Sequence, residues 1–128
     1  DANLAATRDL YANAEIAGVT ILSHNEHAEE FLKKTEEKPD FVLLDPPRAG
    51  LGAEAAEKLA ELGAKEIVYL SCDPSTLARD LAVLTGSPRK PKEITAPSIR
   101  YEITEMHVFD LFPQTFHIET LVRLQRVP

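Results

Sequence analysis

The strongest constraint on the fold is a repeated pattern in which a short apolar run precedes a segment with helical spacing. The apolar runs are Phe41–Leu44 and Ile67–Leu70, and the helical segments after them are Glu54–Leu62 and Ser75–Leu84. Short, continuous apolar runs are typical of strands that are buried on both faces of a parallel sheet. The alternation of strand and helix therefore predicts an α/β fold.

The N-terminal part of the chain continues this pattern. Residues 2–17 are rich in Ala and Leu and predict a helix, and Gly18 is a typical helix stop. Val19–Leu22 predicts a short strand and Ala28–Lys34 a short helix. At 128 residues, the chain is expected to form one domain or part of one.

The C-terminal part predicts a different arrangement. Three prolines mark residues 86–97 as a loop. Tyr101–Phe109 and His117–Gln125 predict two strands joined by a short turn, with Ile118, Thr120, Val122 and Leu124 on one face. Such a pair after a strand–helix series predicts a mostly parallel sheet with an antiparallel edge.

Composition excludes several classes of protein. With 44% hydrophobic and 27% charged residues, the chain is expected to be globular. Its apolar runs are too short to span a bilayer, so no membrane association is expected. The single cysteine excludes an internal disulfide and a multi-cysteine metal site, and it favours a reducing, cytoplasmic location.

The net charge of −7 is unevenly distributed. Residues 1–66 hold 7 Lys and Arg against 14 Asp and Glu, whereas residues 67–128 hold 7 of each. The acidic half is a poor surface for binding nucleic acid, whereas the charge of the neutral half does not oppose such binding. Charge alone does not predict a nucleic-acid substrate.

Cys72 stands between an apolar run and a helical segment. Asp73 is a good N-cap and Pro74 a good first helical residue. Backbone N–H groups and the helix dipole at that junction favour a thiolate, so Cys72 is a candidate nucleophile. A lone cysteine is more often an inert, buried side chain, and both interpretations stay open.

Two other segments carry candidate functional residues. Asp45 ends an apolar run before two prolines, where α/β sheets bind ligands, although an Asp there can also cap the next segment. Glu119 and His117 follow a proline-containing turn. Most residues of these two types are structural, yet a partly buried Glu is suited to proton transfer.

Together the three segments closely resemble the RNA uracil-5-methyltransferases that use S-adenosylmethionine. Residues 44–50 (LDPPRAG) match the family pattern Leu-Asp-Pro-(Pro/Ala)-Arg-Ala-Gly. Residues 71–80 (SCDPSTLARD) match Ser-Cys-Asn-Pro-x-Thr-Leu-Ala-Arg-Asp, and residues 110–119 (DLFPQTFHIE) match Asp-(Leu/Met)-Phe-Pro-x-Thr-x-His-(Val/Leu/Ile)-Glu. The order and the gaps also fit.

The resemblance implies methylation of C5 of a uridine in structured RNA, either rRNA or tRNA. Cys72 would add to C6 of the flipped uracil, and Glu119 would later remove the C5 proton. Asp45 would lie beside both the cofactor and the base. The same resemblance implies further contacts, from Asp1 and His27 to S-adenosylmethionine, and from Arg48, Arg79 and His117 to RNA.

The chain departs from the family pattern in several ways. Asp73 stands where relatives have Asn, and His27 stands where they have an acidic or amide residue. The glycine-rich cofactor loop, the first strands and an N-terminal RNA-binding domain have no counterpart in residues 1–128. The chain is thus expected to be the C-terminal portion of a Rossmann-like methyltransferase sheet, inactive alone and able to self-associate through an exposed edge at Phe41–Leu44.

Three alternatives remain open at this point. The Asp-Pro-Pro sequence also occurs in amino-group methyltransferases of nucleic acids, which usually have an aromatic residue in place of Arg48 and need no thiol. The chain could also be a truncated, non-catalytic module. A cysteine hydrolase is the weakest alternative, because Glu119 does not easily replace a histidine base.

Overall fold

The computed structural model describes residues 3–87 and 99–128. The chain divides into two compact units, Asp1–Thr35 and Glu36–Pro128. The described helices are α1 (Leu4–Ala17), α2 (Ala28–Lys34), α3 (Ala53–Leu62) and α4 (Pro74–Leu84). The described strands are β1 (Phe41–Leu44), β2 (Glu66–Ser71), β3 (Tyr101–Phe109) and β4 (Glu119–Arg126).

The C-terminal unit is built on a four-stranded sheet in the order β1-β2-β4-β3. β1 pairs with β2 in parallel, and β4 pairs antiparallel with both β2 and β3. Of the strands described, three therefore run in one direction and β4 runs against them. This confirms the predicted α/β sheet with a β3–β4 hairpin at its edge.

The core lies between this sheet and helices α3 and α4. Alternate residues of β2 and β4 point into it, which places Ile67, Tyr69, Val122 and Leu124 among the most deeply buried side chains. The helices contribute an apolar stripe formed by Leu59, Leu77, Leu81 and Leu84. The predicted common face is confirmed for Thr120, Val122 and Leu124, but it is wrong for Ile118, which precedes β4 and is exposed.

Two tyrosines bring hydroxyl groups into this core. The Tyr69 hydroxyl donates a hydrogen bond of 2.7 Å to Asp80 Oδ2, and the Tyr101 hydroxyl donates one of 3.0 Å to the carbonyl of Ala64. Burial, together with the hydrogen bond to Asp80, raises the pKa of Tyr69 above its usual value of 10.0, and burial also raises the pKa of Tyr101. In the folded protein both hydroxyl groups therefore remain protonated at a pH where the tyrosines of an unfolded chain ionise.

We expect the protein to lose stability above about pH 10, where tyrosine ionises in an unfolded chain. Because the pKa of each tyrosine is higher in the folded than in the unfolded chain, its full contribution to the free energy of unfolding is present below the unfolded-state pKa. That contribution is lost as the pH rises toward and through the folded-state pKa. Each tyrosine lowers the free energy of unfolding by at most about 1.4 kcal/mol for each pH unit in this range. Denaturant unfolding between pH 9 and 12 measures how the free energy of unfolding falls with pH. In Tyr69→Phe this fall should be less steep, and an unchanged pH dependence in that variant would contradict the raised pKa of Tyr69.

Strand β1 lies at one edge of the described sheet. Val42 and Leu44 pack against the core, whereas Phe41 is 52% exposed and Leu43 67% exposed. The prediction that this strand is buried on both faces is therefore wrong, because only one face is covered. Self-association through this apolar edge stays a prediction, and a single monomeric species at all concentrations in sedimentation would contradict it.

The N-terminal unit consists of α1, α2 and the segment between them. Asn3 caps α1 by accepting a 2.9 Å hydrogen bond from the Ala5 N–H, and Gly18 ends it with a φ of 65°. Val19–Leu22 forms no strand within the part of the chain that the structure describes, so that prediction is wrong. A strand needs a hydrogen-bonded neighbour, and this segment has none in the described sheet.

Two further predictions concern loops and membranes. The loop predicted over residues 86–97 falls mostly on residues 88–98, which lie outside the described residues. Within residues 3–87 and 99–128, no helix combines the length and the apolar character that a membrane crossing requires.

Candidate functional site

The register of β2 and β4 places the two predicted catalytic residues at the same end of the sheet. Ser71, the last residue of β2, pairs with Thr120 of β4. Cys72 directly follows Ser71, and Glu119 directly precedes Thr120. The two residues are therefore each one position away from a paired position of neighbouring strands.

The α4 N-terminus supports Cys72, which is half-buried. Asp73 is the N-cap of α4, and its Oδ1 accepts hydrogen bonds from the N–H groups of Ser75 (2.9 Å) and Thr76 (3.0 Å). These backbone hydrogen bonds, that of Thr76 foremost, lower the pKa of Asp73. The predicted cap, with Pro74 in the first turn, is confirmed, and the charge of Asp73 is engaged by the helix.

Asp45 lies at the same edge of the sheet. It directly follows β1, which runs parallel to β2 with Leu44 paired to Tyr69. Asp45 and Cys72 thus both follow the carboxyl ends of parallel strands, where α/β sheets bind ligands. Asp45 is exposed, so its carboxylate is accessible to a ligand.

Helix α4 holds the loop that follows Asp45. Thr76 Oγ1 donates a 2.9 Å hydrogen bond to the carbonyl of Arg48, and Arg79 Nη2 donates one of 2.7 Å to the carbonyl of Ala49. The Leu51 N–H donates one of 2.8 Å to Asp80 Oδ2. The loop backbone is therefore fixed at three of the four residues from Arg48 to Leu51.

Asp80 is the centre of this attachment. It is fully buried, and it accepts hydrogen bonds from the Tyr69 hydroxyl, the Leu51 N–H and Arg79 Nε. Gly50 lies against it with a φ of 70°, and a Cβ there would come 2.5 Å from Asp80 Oδ2. Glycine is required at this position on both counts.

Sequence reasoning missed Asp80, Tyr69 and Thr76 as contributors to the site. A signal for Asp80 was present, since an acidic residue in the apolar face formed by Leu77 and Leu81 calls for a buried partner. Arg79, predicted to bind substrate, is 45% exposed and engaged with Asp80 and the loop. Its contact with RNA stays a prediction.

An aromatic cluster borders the same edge. The ring centroids of Phe116 and His117 lie 4.4 Å apart, and that of Phe112 lies 6.1 Å from His117. The guanidinium carbon of Arg48 lies 5.7 Å from the centroid of Phe116. Arg48 and His117, two predicted RNA contacts, are thus brought to one cluster.

The predicted cofactor contacts are divided between the units. His27 lies in the N-terminal unit, at the start of α2, and lines a pocket of about 790 Å³. The same pocket has apolar walls from Leu10, Leu22 and Phe31 and polar groups from Ser23 and Glu26. Asp45 belongs to the C-terminal unit, and Asp1 lies outside the described residues.

The fold is an α/β sheet whose strand ends carry the three predicted motifs, and comparisons with known proteins identify the family. The tRNA (uracil-5-)-methyltransferase profile matches residues 31–127. The crystal structure of the Pyrococcus abyssi tRNA (uracil-54, C5)-methyltransferase in complex with S-adenosyl-L-homocysteine superposes with a TM-score of 0.76. It is 31% identical, over 97% of this chain and 27% of that chain.

Curated relatives agree. An uncharacterized RNA methyltransferase of Thermotoga maritima is 44% identical over 95 residues, which are 74% of this chain and 19% of that protein. A 23S rRNA (uracil(747)-C(5))-methyltransferase of Shewanella loihica is 40% identical over 92 residues, which are 72% of this chain and 21% of that protein. The chain therefore belongs to the tRNA (uracil-5-)-methyltransferase family, and it spans about a fifth of the length of these two relatives.

Proposed function

We propose that this chain is part of the catalytic domain of an S-adenosylmethionine-dependent methyltransferase that modifies C5 of a uridine in rRNA or tRNA, in the cytoplasm. The observation that supports the proposal is the β2–β4 register, in which Ser71 and Thr120, the chain neighbours of Cys72 and Glu119, form a pair. A thiolate that can add and leave again, next to a carboxylate base, is the pair that substitution at C5 requires.

Cys72 acts first in this mechanism. Its Sγ forms a bond to C6 of the uracil, and the electron pair of the C5=C6 bond moves onto C5 and the O4 enolate. S-adenosylmethionine, when bound, supplies the methyl group that C5 gains. Glu119 then takes the proton from C5, the C5=C6 bond forms again, and the C6–Sγ bond breaks to release the thiolate.

The chain offers groups that fit the methyl donor and the RNA. The apolar walls and polar rim of the His27 pocket suit a purine ring, and Asp45, with Asp1, would contact the rest of the donor. Arg48, Arg79 and His117 would contact the RNA, and Asp45 the target base. The half-buried Cys72 cannot reach a stacked base, so the target uridine must be flipped out.

Replacing Glu119 with Gln tests the proposal in the natural full-length protein. The amide cannot take the C5 proton, so a covalent RNA–protein adduct should accumulate while turnover falls by about 10²- to 10⁴-fold. Denaturing gel electrophoresis of radiolabelled RNA measures the adduct, and transfer of tritiated methyl groups measures turnover.

Glu102→Gln is the matched control, because Glu102 is an exposed glutamate of the same hairpin. It should turn over at the wild-type rate with no stable adduct. Normal turnover in Glu119→Gln would remove Glu119 from the role of base.

A further inference from the structure

The aromatic cluster contains a residue to which the proposed chemistry assigns no role. Phe116 is 81% exposed, which is unusual for a phenylalanine in a folded domain. It also stands at a position that the family pattern leaves open, between the motif residues Thr115 and His117. Leu111, Phe112 and Ile118 of the same segment are also exposed, so Phe116 belongs to an apolar stretch of surface, and apolar patches mark binding sites.

The turn that presents Phe116 is well defined. Thr115 Oγ1 donates a 2.7 Å hydrogen bond to the carbonyl of Phe112 and accepts one of 3.2 Å from the His117 N–H. Gln114 adopts a φ of 69°, which reverses the chain direction just before Phe116. These contacts define the backbone of the turn from which the ring projects.

Arg48 gives the ring its chemical preference. Its guanidinium carbon lies 5.7 Å from the Phe116 centroid, within the range of a cation–π contact, and its backbone is held by Thr76. An exposed ring beside a fixed cation matches a nucleobase attached to phosphate groups. An aliphatic protein surface would leave the cation without a counter-charge.

We propose that Phe116, with Arg48, is a stacking site for an unpaired base of single-stranded RNA beside the Cys72–Glu119 pair. Phe116 precedes Glu119 by three residues, which span roughly 10 Å of extended chain. That distance suits a base next to the target uridine. The proposal rests on the proposed function for its substrate class, but its binding test does not depend on the methylation chemistry.

The test uses the natural full-length protein with Cys72→Ala, so that no adduct contributes to binding. The probes are a fluorescein-labelled oligouridylate of about 12 nucleotides, within usual site sizes, and an abasic oligomer of equal length and charge. Phe116→Ala should weaken binding of the oligouridylate by about 5- to 150-fold, the range for loss of one stacked base. Binding of the abasic oligomer should not change, and Phe116→Trp should bind like the wild type.

Phe41→Ala is the matched control, because Phe41 is also an exposed phenylalanine but lies at the opposite end of β1 from Asp45. It should leave both affinities unchanged. Equal loss for both probes in Phe116→Ala, no loss for either, or failure of the parent protein to bind the oligouridylate would overturn the proposal. The last two results would be expected if a protein partner covers Phe116.

The outcomes separate this proposal from the proposed function. If methyl transfer requires Cys72 but Phe116→Ala binds the oligouridylate normally, the stacking site is wrong and the methylation mechanism stands. If methyl transfer does not require Cys72 but base-dependent binding requires Phe116, the stacking site stands and the mechanism is wrong.

Discussion

Replacing Cys72 with alanine is expected to reduce methyl transfer in the natural full-length protein by about 10⁴-fold or more, the scale that follows removal of a covalent nucleophile. Without Sγ, C5 of uracil has no electron pair with which to accept a methyl group. Transfer of tritiated methyl groups to RNA transcripts measures the loss. RNA binding should be retained, because alanine removes one sulfur from a half-buried position.

Two variants sharpen this prediction. Cys72→Ser keeps the size of the side chain but offers a poor nucleophile, so it should be nearly as slow as Cys72→Ala. Ser75→Ala changes an exposed residue in the first turn of the same helix and should retain wild-type turnover. Substantial methyl transfer by Cys72→Ala would exclude covalent catalysis and favour the amino-group methyltransferases that need no thiol.

Replacing Asp80 with alanine is expected to cause the largest loss of stability among single changes near the site. The buried Tyr69 hydroxyl and the Leu51 N–H would both lose their acceptor, at about 1–3 kcal/mol each. Arg79 is 45% exposed, so solvent screens its ion pair with Asp80 and that pair adds little. The sum, about 2–6 kcal/mol, is a large part of the usual stability of a domain.

Denaturant unfolding of the chain measures this loss, and Asp80→Asn is the informative comparison. The asparagine oxygen can still accept from Tyr69 and Leu51, whereas its NH₂ group faces the Arg79 guanidinium. It should therefore lose less stability than Asp80→Ala while releasing the loop at Ala49. Equal stability of Asp80→Ala and the wild type would show that Asp80 does not hold the loop after β1.

Release of this loop should also affect the chemistry, because the loop carries Asp45 and Arg48. Misplacement of a substrate-positioning group by about 1 Å can reduce turnover by about 10²-fold. Asp80 would then be a positioning residue, which acts through the loop and never touches the RNA. With Glu119→Gln as the background, the gel assay for the adduct can reveal this as slower adduct formation when Asp80→Asn is added, at a temperature where both proteins remain folded.

The sequence predicted most elements because their local signals were strong. α2 and β3 have the predicted boundaries, and Gly18 and Gly63 end α1 and α3 in the left-handed conformation that glycine favours. The exposed face of β1 and the missing strand at Val19–Leu22 could not be predicted in this way. Both depend on which neighbours a segment finds, and an apolar run carries no information about its neighbours.

The site shows the same division. The local sequence was enough to predict that Asp45 and Cys72 each lie at a strand end. The role of Glu119 as the base was predicted only from the family resemblance. That Cys72 and Glu119 lie at the same end of the sheet depends on the pairing of two strands separated by 47 residues, between Ser71 and Glu119. The Asp80 cluster likewise joins β2, α4 and the loop after β1, contacts that only the folded chain defines.

The most direct test of the central claim is to locate the covalent bond itself. The natural full-length protein is incubated with S-adenosylmethionine and RNA that contains 5-fluorouridine, whose C5 fluorine Glu119 cannot remove as a proton. Digestion and mass spectrometry should then find a methylated fluorouridine attached to the peptide that contains Cys72. Attachment to another residue, or efficient methylation of normal RNA with no adduct on the fluorinated RNA, would contradict the mechanism.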